Sequence, residues 1–153
     1  MSIEKVKEYF KQYNIENRIL ELDHTSATVE LAAKALDCQP SDIAKTMSFL
    51  VGENPIVVVM AGDMRIDNPK YKHTFGKKAK MIHADVVEEI IGHQVGGVCP
   101  FAVNENVKVY LDESLKVHEY IYPACGSSNS AIKLSIPELE KYSNYVEWVD
   151  VCK

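Results

Sequence analysis

Apolar side chains recur at Ile3, Val6, Phe10 and Tyr13, the spacing of one helix face, with Ser2 ahead of them as an N-cap. Residues 19–22 read as a short strand, and Thr28 caps a second helix over residues 29–36. Pro40-Ser41-Asp42 opens a single helical turn that runs into the strand Lys45-Thr46-Met47-Ser48-Phe49-Leu50-Val51. After the turn at Gly52-Glu53-Asn54-Pro55, the unbroken apolar run Ile56-Val57-Val58-Val59-Met60 suits a strand covered on both faces. Asn68 before Pro69 is placed to cap a short basic helix ending near Phe75. Residues 80–82 form a brief strand or bridge, and residues 84–91 form a helix that stops at Gly92. Residues 107–111 alternate as a strand, with residues 118–122 as the expected partner. A strand over residues 131–134, a helical turn over 137–141 and a last strand or docking tail over 145–149 complete the chain. Strands crowd the second half and helices do not alternate strictly with them. The expected class is α/β of the α+β kind: one domain over residues 1–153, a mixed sheet with peripheral helices.

Two features break these regular patterns. Strand alternation puts Lys45 on one face with Met47, Phe49 and Val51, leaving Thr46 and Ser48 on the other. An ammonium on an apolar face is costly without an anionic or carbonyl partner. Lys45 therefore either sits at the strand mouth and reaches water or enters a pocket to meet a ligand. The second feature is Gly92-His93-Gln94-Val95-Gly96-Gly97-Val98-Cys99-Pro100-Phe101, a long connection with three glycines and a proline. Gly92 serves as a helix C-cap, whereas Gly96-Gly97 ahead of an apolar run points to an ordered loop able to bring bare backbone N–H groups against a ligand. A second loop of small residues is Pro123-Ala124-Cys125-Gly126-Ser127-Ser128-Asn129.

Composition narrows the chemistry. With 153 residues, 46% hydrophobic and 25% charged, the chain fits an ordinary globular domain. No apolar run approaches the ~20 residues of a membrane span, and the charged start Glu4-Lys5-Val6-Lys7-Glu8 is unlike a signal peptide. A cytoplasmic location is expected, with no membrane partner. Cys38, Cys99, Cys125 and Cys152 form no CxxC pair, so free thiols are expected and neither a metal site nor a cofactor is implied. Net charge is −5, yet Lys70, Lys72, His73, Lys77, Lys78 and Lys80 gather within a dozen positions, with Tyr71 and Phe75 among them. Such a stretch is either a solvated lysine face or a local grip on a phosphate backbone.

Cysteine catalysis would need Cys99 or Cys125 with His93 or His118 as base, but no helix starts after either cysteine to lower its pKa. The glycine loops match neither phosphate-binding pattern, G-x-x-x-x-G-K-[ST] or G-x-G-x-x-G. What remains is one cation, Lys45, beside two loops of backbone donors and small residues. That set suits binding an ester or carboxylate and stabilising an oxyanion, with water as the nucleophile.

Ser41-Asp42-Ile43-Ala44-Lys45-Thr46, Ala61-Gly62-Asp63, the loop from Gly92 to Phe101, Val109-Tyr110-Leu111-Asp112 and Pro123-Ala124-Cys125-Gly126 together resemble, in order, the YbaK/ProX family. These are relatives of the editing domain of bacterial prolyl-tRNA synthetases. The resemblance implies a curved mixed sheet wrapped by helices and hydrolysis of the ester joining a wrong amino acid to tRNA. The expected partners are mischarged aminoacyl-tRNA and prolyl-tRNA synthetase. It further implies catalytic roles for Lys45, Gly96 and Gly97, and substrate contacts from His24, Thr46, Val98, Cys99, Pro100, Gly126, Ser127 and Ser128. Lys70, Lys72, Lys77 and Lys78 become candidates for tRNA contact. Ala124-Cys125 and Ala131 stand where the Cys-tRNA(Pro) deacylases of the family carry a serine-glycine pair and an aspartate, so the amino acid removed does not transfer. A non-catalytic tRNA- or synthetase-binding protein with the same pocket is the competing class.

Overall fold

The computed structural model describes residues 2–23 and 28–153. In chain order its elements are α1 (Ser2–Lys11), β1 (Leu20–Glu21), α2 (Val29–Leu36), β2 (Ile43–Val51), β3 (Asn54–Ala61), α3 (Asn68–Phe75), α4 (Ala84–Ile91), β4 (Lys108–Asp112), β5 (Tyr120–Pro123), β6 (Ser130–Ala131), β7 (Leu134–Ser135), α5 (Ile136–Ser143) and β8 (Glu147–Val149). Six strands form one mixed sheet in the order β7-β5-β2-β3-β4-β8, and β1 pairs with β6 in a separate ribbon. The β2–β3 hairpin is antiparallel and fully in register from Ala44↔Ala61 to Val51↔Asn54. Parallel pairing joins β3 to β4 and β4 to β8.

β3 is central because its side chains satisfy two cores at once. Val57, Val59 and Ala61 enter one cluster with Val6, Phe10, Val87, Ile91 and Leu139, from α1, α4 and α5. Ile56, Val58 and Met60 enter the other with Tyr71 of α3 and Val149, Val151 and Cys152 of the C-terminal segment. A strand buried on both faces has no room for polar alternation, which is why this run is continuously apolar. On the first face Phe10 packs tilted against Phe101 with ring centroids 4.8 Å apart and meets Tyr142 edge-on at 5.7 Å. α2 packs separately, with Ala32 and Ala33 against Ile43.

Local chemistry closes the elements as the residue types require. Thr28 caps α2 by accepting from Leu31 N–H, and Ser135 with Glu138 makes a reciprocal capping box on α5. Arg18 donates to both carboxylate oxygens of Glu138, at 2.7 and 3.2 Å. That guanidinium hydrogen bond, opposed by partial burial, pulls the Glu138 carboxyl down to about 2. The buried Asp112 carboxylate takes N–H groups from Ser114 and Val151, both at 2.9 Å, and so fixes the C-terminal segment to the end of β4.

Three sequence expectations change. Residues 118–122 do not pair with residues 107–111: β4 lies between β3 and β8, while β5 pairs with β2 and β7. Strand periodicity marks a strand but carries no information on its neighbour, and here β2 and β3 insert between the two. Asp67, one residue earlier than Asn68, caps α3. The stretch from Ala131 to Leu134 splits into β6 and β7, and the turn after it lengthens into α5.

Candidate active site

A cavity of about 350 Å³ opens where the sheet is incomplete. Its walls come from α2, the β2 edge, residues 81–87, the glycine loop at Val95, Gly96 and Val98, and Tyr122, Ala124, Ser130 and Ala131. Met81 and Val95, 59% and 61% exposed, stand among the wall residues as exposed apolar groups. The volume is within the range of small-ligand sites, which are mostly apolar with a few placed polar groups. Here the polar side chains are those of Thr28, Thr46, Ser48, Tyr122 and Ser130, together with Lys45.

The gap arises from β2. Its β3 side is paired from Ala44 to Val51, but β5 pairs with it only at Ile43 and Ala44. The same edge is taken up again by Ile82 N–H donating to Ser48 O at 3.1 Å and Leu50 N–H donating to Lys80 O at 2.9 Å. Thr46 falls between these contacts. Its Oγ1 is buried without a hydrogen-bond partner among the described residues, a state that costs about 1–3 kcal/mol unless a ligand or water supplies one.

Lys45 resolves the puzzle of its placement in a third way. Its side chain leaves on the Met60 face of the hairpin, since Lys45 and Met60 are directly paired, and its Nζ donates to the Met64 carbonyl at 2.6 Å. The ammonium is half-buried, held by main chain rather than by bulk water, while the residue still contributes to the cavity wall. An ammonium has three N–H donors, and this bond uses one.

The two small-residue loops stack. A Cβ on Gly97 would lie 2.5 Å from Gly126 C and 2.6 Å from Ser127 N, and one on Gly126 would lie 2.7 Å from Ser2 main chain. Gly97 thus lets the loops touch rather than presenting a donor to the cavity, and Gly126 does the same one layer further back. Gly96, at φ 86°, stays on the wall. Ser130, which the sequence did not single out, is the organiser of the second loop: its Oγ accepts from Cys125 and Ser127 N–H at 3.2 and 3.3 Å and donates to Ser127 O at 3.3 Å.

Of the residues implied by resemblance, Lys45, Thr46, Gly96 and Val98 meet at the cavity. Cys99, Pro100 and Ser127 are buried behind its wall, and the half-buried Ser128 follows in the same loop. His24 lies outside the described residues. Lys70 is paired with Asp150 at 3.1 Å and also donates to Cys152 O, while Tyr71 and Phe75 pack into the second core with ring contacts to Phe49 and Tyr110. α3 therefore covers the face of the sheet opposite Thr46. Lys72 lies exposed on that helix, and Lys77 and Lys78 are exposed in the connection that follows it toward Met81.

Thiol chemistry finds no support. Burial pushes the Cys99 thiol up to about 12 and drives Cys125 well above its ordinary value. His93 has Nε2 2.6 Å from Phe101 O and 3.5 Å from Cys99 Sγ. A carbonyl can only accept, so Nε2 carries the proton, and the nitrogen nearest the thiol is not a base. Cys99→Ala and Cys125→Ala should each retain at least about half of wild-type turnover, because neither thiol reaches the thiolate state near neutral pH. Turnover of each purified variant checks this. Among the described residues no His, Cys, Asp and Glu cluster could hold a metal ion, and no helix is long and apolar enough to cross a membrane.

Residues 23–142 match the family of the aminoacyl-tRNA editing domain. The chain is 47% identical to the uncharacterised protein YwhH of Bacillus subtilis, over 100% of this chain and 98% of that protein. It is 31% identical to the proline–tRNA ligase of Aquifex aeolicus over 90% of this chain, but spans only 25% of the ligase. A candidate Cys-tRNA(Pro)/Cys-tRNA(Cys) deacylase of Enterococcus faecalis, EbsC, is 29% identical over 74% of this chain and 69% of its own. A solved structure described as a candidate trans-editing enzyme for prolyl-tRNA synthetase superimposes with a TM-score of 0.88 over 99% of this chain and 97% of its own; at 22% identity it bears on the fold alone.

Proposed function

The chain belongs to the aminoacyl-tRNA editing domain family, and from that premise we propose that it hydrolyses, in trans, the ester of a tRNA carrying a small non-cognate amino acid, with tRNA(Pro) as the carrier. The carrier is supported by the relationship to proline–tRNA ligases and to EbsC. Such clearance is needed because a hydrophobic pocket separates substrates differing by one methylene by only about 1–3 kcal/mol.

The observation that carries the reading is the cavity at the open β2 edge, furnished with hydroxyls, main chain and one cation but with no thiolate or carboxylate on its described walls. No histidine or carboxylate stands on the described walls to activate one of those hydroxyls as a nucleophile. Water attacks the acyl carbon instead: a C–O bond forms, the carbonyl π pair moves onto its oxygen, and the proton of water passes to solvent. Collapse then breaks the bond to the ribose oxygen, which leaves with a proton. Fixed donors stabilise the oxyanion without reorganising. Gly96 supplies bare main chain on one wall, Gly97 holds that loop against its neighbour, and the remaining N–H groups of Lys45 orient the ester or the terminal nucleotide.

The test is deacylation of a panel of tRNA(Pro) and other tRNAs mischarged with small residues, each compared with its spontaneous hydrolysis. At least one ester should be cleaved well above that background. Tight binding with no cleavage of any member would identify a tRNA-binding protein instead.

A further inference from the structure

How the ester is held can be taken further, on the premise that the chain is a hydrolase of aminoacyl esters. We propose that the open edge of β2 at Thr46 grips the esterified amino acid by the amino acid's own main-chain groups, as if it were one residue of a missing strand.

Successive residues of a strand turn their N–H and C=O groups to alternate edges. Ser48 O and Leu50 N–H are used on the edge away from β3, so Ala44 and Thr46 turn theirs the same way. Ala44 meets β5 in register with Pro123, where that ladder stops. Thr46 alone of the four has no main-chain partner there among the described residues. Its neighbours on both sides are occupied, so the opening is too short for a strand yet fits a single amino acid, since two residues span about 7 Å of strand.

Two directly opposed residues of an antiparallel ladder exchange both N–H···O bonds. Applied here, the substrate's α-amino group donates to Thr46 O and Thr46 N–H donates to the acyl carbonyl. The second bond falls on the oxygen that gains negative charge when water adds, so Thr46 N–H serves as an oxyanion donor. Opposed residues also place their side chains on one face. An L side chain therefore lies beside the unpartnered Thr46 Oγ1 and toward Ile82 and Val87, which line the cavity on that face. A D side chain is turned toward the opposite face, where Met47 packs. Because the grip uses atoms common to every amino acid, it recognises the aminoacyl unit, and the walls choose the side chain.

Wild-type protein is assayed on alanyl-, N-acetylalanyl- and lactyl-tRNA(Pro), each rate divided by its spontaneous hydrolysis. Acetylation adds bulk in a one-residue gap and removes the charge of the donor; the lactyl ester replaces the amine by a hydroxyl. The expected losses in kcat/KM are about 100-fold for the acetylated ester and about 10-fold for the lactyl ester, the scale of a lost hydrogen bond to a charged group. Equal cleavage of free and acetylated esters overturns the strand-edge grip while leaving the hydrolase reading standing. Where the walls favour another ester of the panel over the alanyl one, the comparison is made on that ester with its N-acetyl and α-hydroxy forms, and the same losses are expected. Cleavage of no ester in either set overturns the hydrolase reading and the grip with it. Thr46→Val, isosteric with the native residue, should retain the discrimination against acetylation; its loss would assign recognition to the hydroxyl and overturn the main-chain grip.

Discussion

Replacing Lys45 by methionine should lower deacylation by about 10²-fold, the usual consequence of losing a group that positions the reacting ester, while leaving the protein folded. Methionine keeps an unbranched apolar stem against Met60, its direct partner on β3, so the packing loss is small. What disappears is the ammonium bonded to Met64 O at 2.6 Å and its two other N–H donors. A purely structural role for Lys45 would instead show as a fall in Tm with turnover per folded molecule unchanged. Measuring both on the same preparation separates the two.

The second large effect concerns stability. Gly97→Ala should destabilise the protein by at least about 2 kcal/mol, in the range of overpacked interiors. The added Cβ would sit 2.5, 2.6 and 2.7 Å from Gly126 C, Ser127 N and Gly126 O, all main-chain atoms with no flexible end to yield. The second loop cannot retreat, because Gly126 is itself pressed against Ser2 main chain at 2.7 Å. Its conformation is also fixed by the three hydrogen bonds of Ser130 Oγ. For a domain of this size the expected fall in Tm is about 4–8 °C, read by thermal unfolding. Gly76→Ala is the control: no atom lies within 4 Å of its Cβ position, so only the backbone cost at φ 79° remains.

Much of the fold was legible because its signals are local. The α4 helix ends at Gly92 with φ 102°, and the unbroken apolar run of β3 does lie buried on both faces. The lysine on an apolar strand was rightly odd, but its partner, Met64 O, lies 19 residues away on a turn whose carbonyl direction no residue pattern encodes. Strand order was not legible: periodicity identifies β4 and β5 without saying that β2 and β3 separate them. The cavity depends on that order, since it exists only because β5 leaves β2 after Ala44. Ser130 went unseen for a related reason, as one serine in a run of small polar residues is distinguished only by the amides that surround it. Tyr71 and Phe75 misled in the opposite direction. Interleaved with lysines they suggest a nucleic-acid face, yet helical spacing turns both into the core behind α3.

The claim on which the functional reading rests is that the ester is cleaved inside the cavity at the open β2 edge. Ala84 tests it directly, for it is an exposed first-turn residue of α4 that lines the cavity and can accept bulk without disturbing either core. Deacylation is measured for Ala84→Trp beside wild type, on the ester that wild type cleaves fastest, with Tm recorded for both. A loss of at least about tenfold in kcat/KM is expected at unchanged Tm, since displacing the reacting atoms by about 1 Å can cost on the order of 10²-fold. Wild-type turnover by the folded Ala84→Trp protein would place the chemistry elsewhere.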